Sequence, residues 1–258
     1  MSQEKEISKW LDEYLKQSEL KSFIIGVSGG IDSALTSTLC AITGQKTFVV
    51  SLPIHQNANQ LKMAKNHIEW LKKKYSNVEE LYFDLSKIFD EFKSMFKSSD
   101  NLSLANTRSR LRMVTLYHIA ATNNGLVVGT GNKIEDFGIG FFTKYGDGGV
   151  DISPIADLTK TEVREMSKKL DILPEILSSA PTDGLWDDER TDEDQIGASY
   201  EELEEIMFLV EENGFVESEK KLFGRKKEVF NIFKNFNKKN KHKMTKIPFF
   251  KKNEIHTN

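Results

Sequence analysis

Four short apolar runs recur along the first half of the chain, separated by longer segments with helical spacing of apolar residues. The runs are FIIGV (23–27), TFVVSL (47–52), LYFDL (81–85) and LVVGT (126–130). Short continuous apolar runs are typical of strands buried on both faces of a sheet. Each run therefore predicts a β-strand, and we predict a fifth short strand at 151–155.

Helical periodicity fills the intervals between these strands. An amphipathic helix is predicted first, with apolar positions at Ile7, Trp10, Leu11, Tyr14 and Leu15. Further helices are predicted at 31–42, 60–75, 86–97 and 104–122. Strands alternating with helices favour an α/β fold, a doubly wound parallel sheet of about five strands with right-handed crossovers. Ligands of such sheets bind at the carboxyl ends of the strands. Segments 28–33, 130–135 and 53–56 are therefore expected to meet in one crevice.

The last third of the chain has a different pattern. Residues 183–205 are acidic and residues 220–252 are basic, and both stretches keep helical apolar spacing. We interpret most of these charges as solvated faces of surface helices, with a basic helical part at about 215–250. Residues 184–194 contain few apolar positions and predict a mobile loop, and the closing NEIHTN predicts a frayed end. We expect residues 1–258 to form one domain.

Composition narrows the class of protein. The 258 residues carry a formal net charge of −3, which argues against a nucleic-acid or membrane partner. A single cysteine, Cys40, allows neither an internal disulfide nor a Cys-x-x-Cys metal site, which fits a reducing compartment. The first residues do not resemble a secretory signal, and no apolar run approaches the roughly 20 residues that span a bilayer. We expect a cytoplasmic protein.

The stretch GVSGGIDS (26–33) follows the first predicted strand and opens the first long helix after it. Backbone N–H groups of Ser28, Gly29 and Gly30, with a helix N-terminus, favour binding of an anion. The stretch lacks the lysine of a Walker loop. A carboxylate beside a phosphate repels it unless a cation lies between them, so Asp32 suggests Mg²⁺. The alternative is a plain strand–turn–helix with glycine at the turn.

This stretch resembles the signature of the ATP pyrophosphatases, which cleave ATP between its α- and β-phosphates. Five later segments occur in the order found in ammonia-dependent NAD⁺ synthetases: NTRSRLRM (106–113), GTGNKIED (129–136), FFTKYGDGGVDISPIADLTKTEV (141–163), APT (180–182) and HK (242–243). The resemblance runs from about residue 5 to about residue 250. It implies an α/β fold of the ATP pyrophosphatase type with extra C-terminal helices.

The resemblance also implies roles for particular residues. It implies Mg²⁺ on Asp32 and Glu135, and ATP contacts from Gly26, Val27, Ser28, Gly29, Gly30, Ile31, Asp32, Ser33, Thr130, Lys160 and Thr182. Contacts with deamido-NAD⁺ are implied for Arg110, Lys144, Asp151, His242 and Lys243. Lys144 and Asp147 are the candidate catalytic residues, and Asp147 is a candidate to receive a proton from ammonium or the attacking amine. The family also implies a homodimer.

Two segments depart from the family pattern. Many members have Gly-Thr-Asp-His-Ala-Ala-Glu where this chain has GTGNKIE, and the stretch from Glu135 to Lys144 is one residue longer than in some members. This leaves open whether Glu135 or Asp136 holds the metal. The LPIHQ segment (52–56) is shorter than the usual loop, so nucleobase contacts through Gln56 stay open.

The resulting interpretation is a ligase that adenylates deamido-NAD⁺ with ATP and then amidates it with ammonia, giving NAD⁺, AMP and pyrophosphate. Glutamine-using relatives carry an amidase domain with a nucleophilic cysteine, and the phosphate loop begins by residue 26, so free ammonia is the expected donor. A tRNA-modifying ATP pyrophosphatase is one alternative, since the basic C-terminal stretch could contact RNA. A non-catalytic nucleotide-binding module is the other.

Overall fold

A parallel sheet of four strands forms the centre of the computed structural model, which describes residues 2–182 and 191–251. The strands are β1 (Ser22–Gly26), β2 (Lys46–Ser51), β3 (Val78–Tyr82) and β4 (Gly125–Val127). Their order in the sheet is β3-β2-β1-β4, and every pair is parallel. The chain therefore leaves β1 to one side and returns on the other at β4. This is a topological switch point, where a crevice opens at the carboxyl ends of the strands.

All four apolar runs overlap strands, but the predicted fifth strand is wrong for the described residues. Within 151–155 only Ile152 pairs with the sheet, through a single bridge to Val128. Pro154 has no N–H to donate to a ladder, and the residues around it form turns. The third strand also starts and ends three residues earlier than predicted, because Asp84 accepts the backbone N–H of Ser86 and the chain turns there into a helix.

Helices cover both faces of the sheet, which confirms the doubly wound prediction. They are α1 (Gln3–Gln17), α2 (Ile31–Ile42), α3 (Ala58–Lys74), α4 (Ser86–Ser94), α5 (Asn101–Thr122), α6 (Lys160–Lys169), α7 (Pro174–Leu177), α8 (Asp192–Ile196), α9 (Tyr200–Lys220) and α10 (Gly224–Met244), with a π-helix at Ile134–Ile139. Successive residues of β1 point to opposite faces. Phe23 and Ile25 accordingly pack with α1, α2 and α6, whereas Ile24 packs with α4 and α5.

The C-terminal helices build a second core on the π-helix. Ile139 packs there with Leu203 of α9 and with Phe230 and Phe233 of α10. Within the predicted basic helical part at about 215–250, α9 ends at Lys220 and α10 runs from Gly224 to Met244, while residues 221–223 and 245–251 are not helical. A proline disfavours the α conformation of the residue before it, and Pro248 lies in this segment.

The predicted mobile loop falls largely on residues 183–190, which lie outside the described residues, as do residues 252–258. Its last part is not a loop, because Thr191 caps a short helix that starts at Asp192. Across 2–182 and 191–251, none of the helices is long and apolar enough to cross a membrane.

Candidate functional site

The loop after β1 is held in shape by its own serines. Ser28 N–H donates to Ser33 Oγ at 3.3 Å, Gly30 N–H donates to Ser28 Oγ at 3.2 Å, and Ser33 Oγ donates to the Gly30 carbonyl at 2.9 Å. Gly29 has a φ of +93°, and a β-carbon there would lie 2.7 Å from the carbonyl oxygen of Gln60. Only glycine fits this position. The loop therefore presents backbone to the crevice, at the N-terminus of α2.

A buried lysine joins two carboxylates beside this loop. The Lys160 ammonium donates to Asp32 Oδ2 at 2.5 Å and to Glu135 Oε1 at 3.2 Å. Burial alone would lower the pKa of Lys160, but the charges of Asp32 and Glu135 raise it above its ordinary value. Lys160 is therefore charged and holds the two acids around one cation. Asp32 follows β1, whereas Glu135 follows β4, so the switch point brings them together.

Local capping places each member of this cluster. Thr159 and Glu162 form a capping box, which starts α6 at Lys160. Asn132 is fully buried, its side-chain oxygen accepts the N–H of Glu135 at 3.1 Å, and its amide donates to Asp32 at 3.4 Å. Asn132 therefore ties the two acidic segments to each other.

Tyr200, the first residue of α9, is completely buried against the same cluster. Its hydroxyl donates to Glu135 Oε1 at 2.6 Å and lies 3.4 Å from Asp192 Oδ2, and its ring lies 4.7 Å from the Lys160 ammonium. Burial, and then the charges of Glu135 and Asp192, raise the pKa of Tyr200 well above its ordinary value. The phenol therefore stays protonated.

The donor set at this cluster fits Mg²⁺. Within 2–182 and 191–251, no group of three or more His, Cys, Asp or Glu residues is placed to hold a metal. Mg²⁺ is commonly bound by one or two carboxylates together with substrate phosphates and water. Asp32 and Glu135 already surround one cation, and that cation is a lysine ammonium. This pair suits a metal that is shared with the phosphates of ATP.

Asp136 is a third acid next to this pair, in the π-helix. Burial, and then the charges of Glu135, Asp147 and Asp32, raise the pKa of Asp136 to about 8. Its carboxylate packs on Gly131, where a β-carbon would lie 2.3 Å from both oxygens. A π-turn holds one residue more than an α-turn, and the π-helix lies at the start of the segment predicted to be one residue longer. Lys160 contacts Glu135, which favours Glu135 over Asp136 as the metal ligand.

A second cluster is formed by residues predicted to bind deamido-NAD⁺. Arg110 of α5 donates to the Lys144 carbonyl at 3.3 Å, and the Lys144 ammonium donates to the His242 carbonyl at 2.7 Å. Lys243 donates to the Phe142 carbonyl at 2.6 Å, and burial lowers its pKa. The structure thus brings the glycine-rich 141–149 segment, α5 and the end of α10 together. The proposed contacts with deamido-NAD⁺ stay a prediction.

Asp147 is fixed by a serine that sequence analysis missed. Ser109 Oγ donates to Asp147 Oδ1 at 2.6 Å, and the Thr143 N–H donates to the same oxygen at 3.0 Å. The Asp147 N–H donates back to Ser109 Oγ at 2.8 Å. A β-carbon on Gly146 would lie 2.2 Å from this hydroxyl. Ser109 therefore sets the path of the glycine-rich loop and aims the Asp147 carboxylate.

The other predicted residues fall around these two clusters. Asp151 accepts from Tyr117 at 3.0 Å and from the Val127 N–H at 2.8 Å, so it also holds the end of β4. The side chains of Val27 and Ile31 pack in the core, which leaves their backbone for ATP. Thr130 follows β4, and Thr182 ends the described stretch before the gap.

Three arginines of α5, spaced by two residues, contact different partners. Arg108 stacks on Phe89, Arg110 reaches Lys144, and Arg112 donates to the Leu52 carbonyl at 3.0 Å and to Gln56 at 2.9 Å. Gln56 is thereby held close to the crevice.

Ser109, Asn132 and Tyr200 are the site residues that sequence analysis overlooked. Only Tyr200 had a signal. The pattern S-x-x-E at 199–202 is a capping box, which predicts a helix starting at Tyr200. Nothing in the sequence shows that this residue reaches back to the segment after β4.

Comparisons with known proteins agree on one family. The family described as NAD synthase matches residues 3–247. The NH(3)-dependent NAD(+) synthetase of Malacoplasma penetrans is 39% identical over 83% of this chain and 84% of its own length. The NMN synthetase structure from Francisella tularensis covers 97% of both chains at 30% identity, with a TM-score of 0.84. The NH3-dependent NAD synthetase structure from Campylobacter jejuni covers 97% of this chain and 100% of its own at 26% identity, with a TM-score of 0.79.

Proposed function

Because the chain belongs to the NAD synthase family, we propose that it amidates deamido-NAD⁺ with ammonia at the expense of ATP, giving NAD⁺, AMP and pyrophosphate. One observation carries this proposal beyond the family match. A buried cluster of Asp32, Glu135 and Lys160 lies beside the glycine loop at the switch point of the sheet. Such a cluster suits the triphosphate of ATP and a divalent ion.

The first step is transfer of AMP to the substrate. The nicotinate carboxylate attacks the α-phosphorus, and the bond to the β-phosphate oxygen breaks, releasing pyrophosphate. The loop at 28–33 offers phosphate oxygens the N-terminus of α2, where the Ser28 and Gly30 N–H groups would exchange their serine partners for phosphate. Lys160 supplies a positive charge next to them. Mg²⁺ held by Asp32 and Glu135 would neutralise charge on the leaving group. Pre-set positive groups of this kind stabilise the transition state.

The second step is attack of ammonia on the acyl carbon, which expels AMP. Ammonia must be formed from ammonium, so a base is needed near the acyl group. We assign this base to Asp147, since Ser109 and Thr143 both donate to its Oδ1 and leave Oδ2 to accept a proton. Lys144 lies on the same loop, Arg110 of α5 donates to its carbonyl at 3.3 Å, and both cations suit the anionic dinucleotide. Asp147→Asn should fold normally and lose most activity, and full activity would remove Asp147 from the mechanism.

Free ammonia is the proposed nitrogen donor. Glutamine-dependent amidation needs a reactive thiol, and the one cysteine of the chain, Cys40, is fully buried in the core of α2. Burial also raises its pKa, so it is a poor nucleophile. The net charge of −3 and the fit to small anions favour small-molecule partners over nucleic acid. We propose a cytoplasmic location, since the single cysteine, Cys40, is a free buried thiol that fits a reducing compartment.

A second candidate substrate is nicotinate mononucleotide. The solved structure covering 97% of this chain at a TM-score of 0.84 is described as an NMN synthetase. Its product is an amide of the mononucleotide, which requires the same carboxyl activation without the second nucleotide half. Comparing kcat/KM for deamido-NAD⁺ and nicotinate mononucleotide, each with ATP, Mg²⁺ and ammonium, separates the two. Preference for the dinucleotide supports the main proposal, and preference for the mononucleotide replaces its substrate.

We also propose a homodimer. Between residues 82 and 102 the chain exposes many large apolar side chains on and around α4, namely Tyr82, Phe83, Ile88, Phe92, Met95, Phe96 and Leu102. A concentration of exposed apolar groups marks a contact surface. Light scattering after gel filtration should give twice the mass of 29.5 kDa. Met95→Glu should lower that mass, whereas Val216→Glu on α9, equally exposed, should leave it unchanged.

A further inference from the structure

The buried hydroxyl of Tyr200 is aimed at the acid assigned to the metal, although it comes from a distant part of the chain. Tyr200 lies 65 residues after Glu135, and their side chains meet at 2.6 Å. A carboxylate can only accept hydrogen bonds, so the phenol is the donor. A hydrogen bond from a neutral donor to a charged acceptor is short and strong. This contact therefore fixes the orientation of the Glu135 carboxylate.

The two side-chain donors to that carboxylate share one oxygen. Lys160 and Tyr200 each donate to Glu135 Oε1. With Oε1 engaged, Oε2 is the oxygen that can turn to a metal. When Lys160 contacts a phosphate instead, Tyr200 still holds Oε1. Tyr200 is thus the partner that keeps Glu135 oriented through the reaction.

The surroundings of Tyr200 make it a fixed support. Its side chain is fully buried, and its N–H donates to Glu193 Oε1 at 3.0 Å. One turn later on α9, the buried Glu204 accepts the N–H of Thr161 at 2.9 Å, directly after Lys160. Residues four apart lie on one helix face. A single face of α9 therefore supports both Glu135 and the start of α6.

We infer that Tyr200 is a positioning residue, which orients Glu135 for the divalent ion that accompanies ATP. This inference rests on the proposed function, in which Asp32 and Glu135 hold Mg²⁺. Partners of metal ligands commonly change metal affinity by about 10- to 100-fold when removed. Asp192 connects Tyr200 to the segment that ends at Thr182. Its Oδ2 lies 3.4 Å from the phenol, and its N–H donates to the Pro181 carbonyl at 3.0 Å, next to Thr182.

The test measures how much Mg²⁺ strengthens ATP binding, without any turnover. ATP is titrated by calorimetry into the full chain, once with Mg²⁺ and once with EDTA. For each variant, the Kd in EDTA is divided by the Kd in Mg²⁺, so a larger ratio means that Mg²⁺ strengthens ATP binding more. Tyr200→Phe keeps the ring and removes only the hydroxyl. We expect its ratio to fall by about tenfold, with the Kd in EDTA unchanged. In turnover assays, excess Mg²⁺ should restore its kcat.

The matched control is Tyr75→Phe. Tyr75 follows the C-terminal end of α3, whereas the glycine loop contacts the first turns of that helix, so this variant should keep the wild-type ratio. Because each ratio is internal to one protein, a partly destabilised variant still gives a valid value. An unchanged ratio in Tyr200→Phe overturns the inference, as does equal weakening with and without Mg²⁺. A wild-type protein that binds ATP without help from Mg²⁺ would instead show that the proposed metal site is wrong, and the inference would fall with it.

Discussion

Removing the Lys160 ammonium tests the carboxylate cluster without any substrate. In Lys160→Met the side chain keeps its length but loses the charge that lies 2.5 Å from Asp32 and 3.2 Å from Glu135. Removing one partner of a buried ion pair typically destabilises by about 3–5 kcal/mol, because a charge stays buried without compensation. The side chains of Asp32 and Glu135 are 19% and 16% exposed, so water lowers part of the cost of their uncompensated charge. We expect a loss of about 3 kcal/mol.

Mg²⁺ should recover much of that loss. If Asp32 and Glu135 hold the ion, the variant offers them free of the competing ammonium. A ligand present at about one hundred times its Kd stabilises the folded state by about 2.7 kcal/mol. Wild-type protein should gain less, since Lys160 competes for the same oxygens. Urea unfolding near neutral pH gives the free energy of unfolding of the wild type and of Lys160→Met, each with and without Mg²⁺.

A matched lysine shows whether the effect is specific. Lys133 also pairs with two acids, Glu211 at 3.3 Å and Asp157 at 3.6 Å, but these partners are 44% and 95% exposed. Exposed pairs contribute about 0–1 kcal/mol. Lys133→Met should therefore change stability little and show no Mg²⁺ effect. A loss below about 1 kcal/mol in Lys160→Met, or no recovery with Mg²⁺, would refute the reasoning.

Three further predictions concern, in turn, the glycine-rich segment, the core and the loop after β1. Ser109→Ala removes a hydrogen bond of about 1.5–3 kcal/mol to Asp147, so kcat should fall by about tenfold or more, and an unchanged kcat would show that the bond is not needed. Burial lowers the pKa of His67 to about 4 from 6.5, so the unfolded chain binds more protons between these values. The contribution of His67 to stability is then full above about pH 6.5 and falls by up to about 3 kcal/mol as pH drops towards 4. The free energy of unfolding of His67→Gln should lack this pH dependence. The same slope against pH in wild type and variant would contradict the prediction. Gly29→Ala adds a β-carbon 2.7 Å from a carbonyl oxygen, so calorimetry should show weaker ATP binding, whereas Gly44→Ala has positive φ but open space and should bind ATP normally.

The sheet could be predicted from the sequence because strands buried on both faces leave a strong local signal. The strands β1, β2 and β4 each start one residue before FIIGV, TFVVSL and LVVGT and otherwise lie within these runs. The segment LYFDL misplaced β3, because VEELY alternates weakly and is only half buried. The 151–155 segment has apolar residues of the right type, but Pro154 cannot complete a ladder. The apolar content of a segment does not show whether its backbone N–H and C=O groups pair with a neighbouring strand or form a turn.

The loop, the two acids and Lys160 could be predicted because they lie in contiguous motifs. Their convergence follows from the strand order, since Asp32 and Glu135 follow strands that are neighbours at the switch point. Tyr200 and Ser109 could not be predicted. Each acts through a contact with a residue at least 38 positions away, and no spacing rule connects them. The sequence shows only one extra residue near Ile134–Ile139 and does not predict a π-helix there, nor its packing through Ile134 and Ile139 against α9 and α10.

The central claim is tested most directly by product stoichiometry. Purified protein is mixed with deamido-NAD⁺, ATP, Mg²⁺ and ammonium chloride, and NAD⁺, AMP and pyrophosphate are followed together, with glutamine replacing ammonium in a parallel reaction. We expect equal amounts of all three products with ammonium and none with glutamine. AMP and pyrophosphate without NAD⁺ would show that another acceptor is adenylated, and no product from folded, ATP-binding protein would contradict the account.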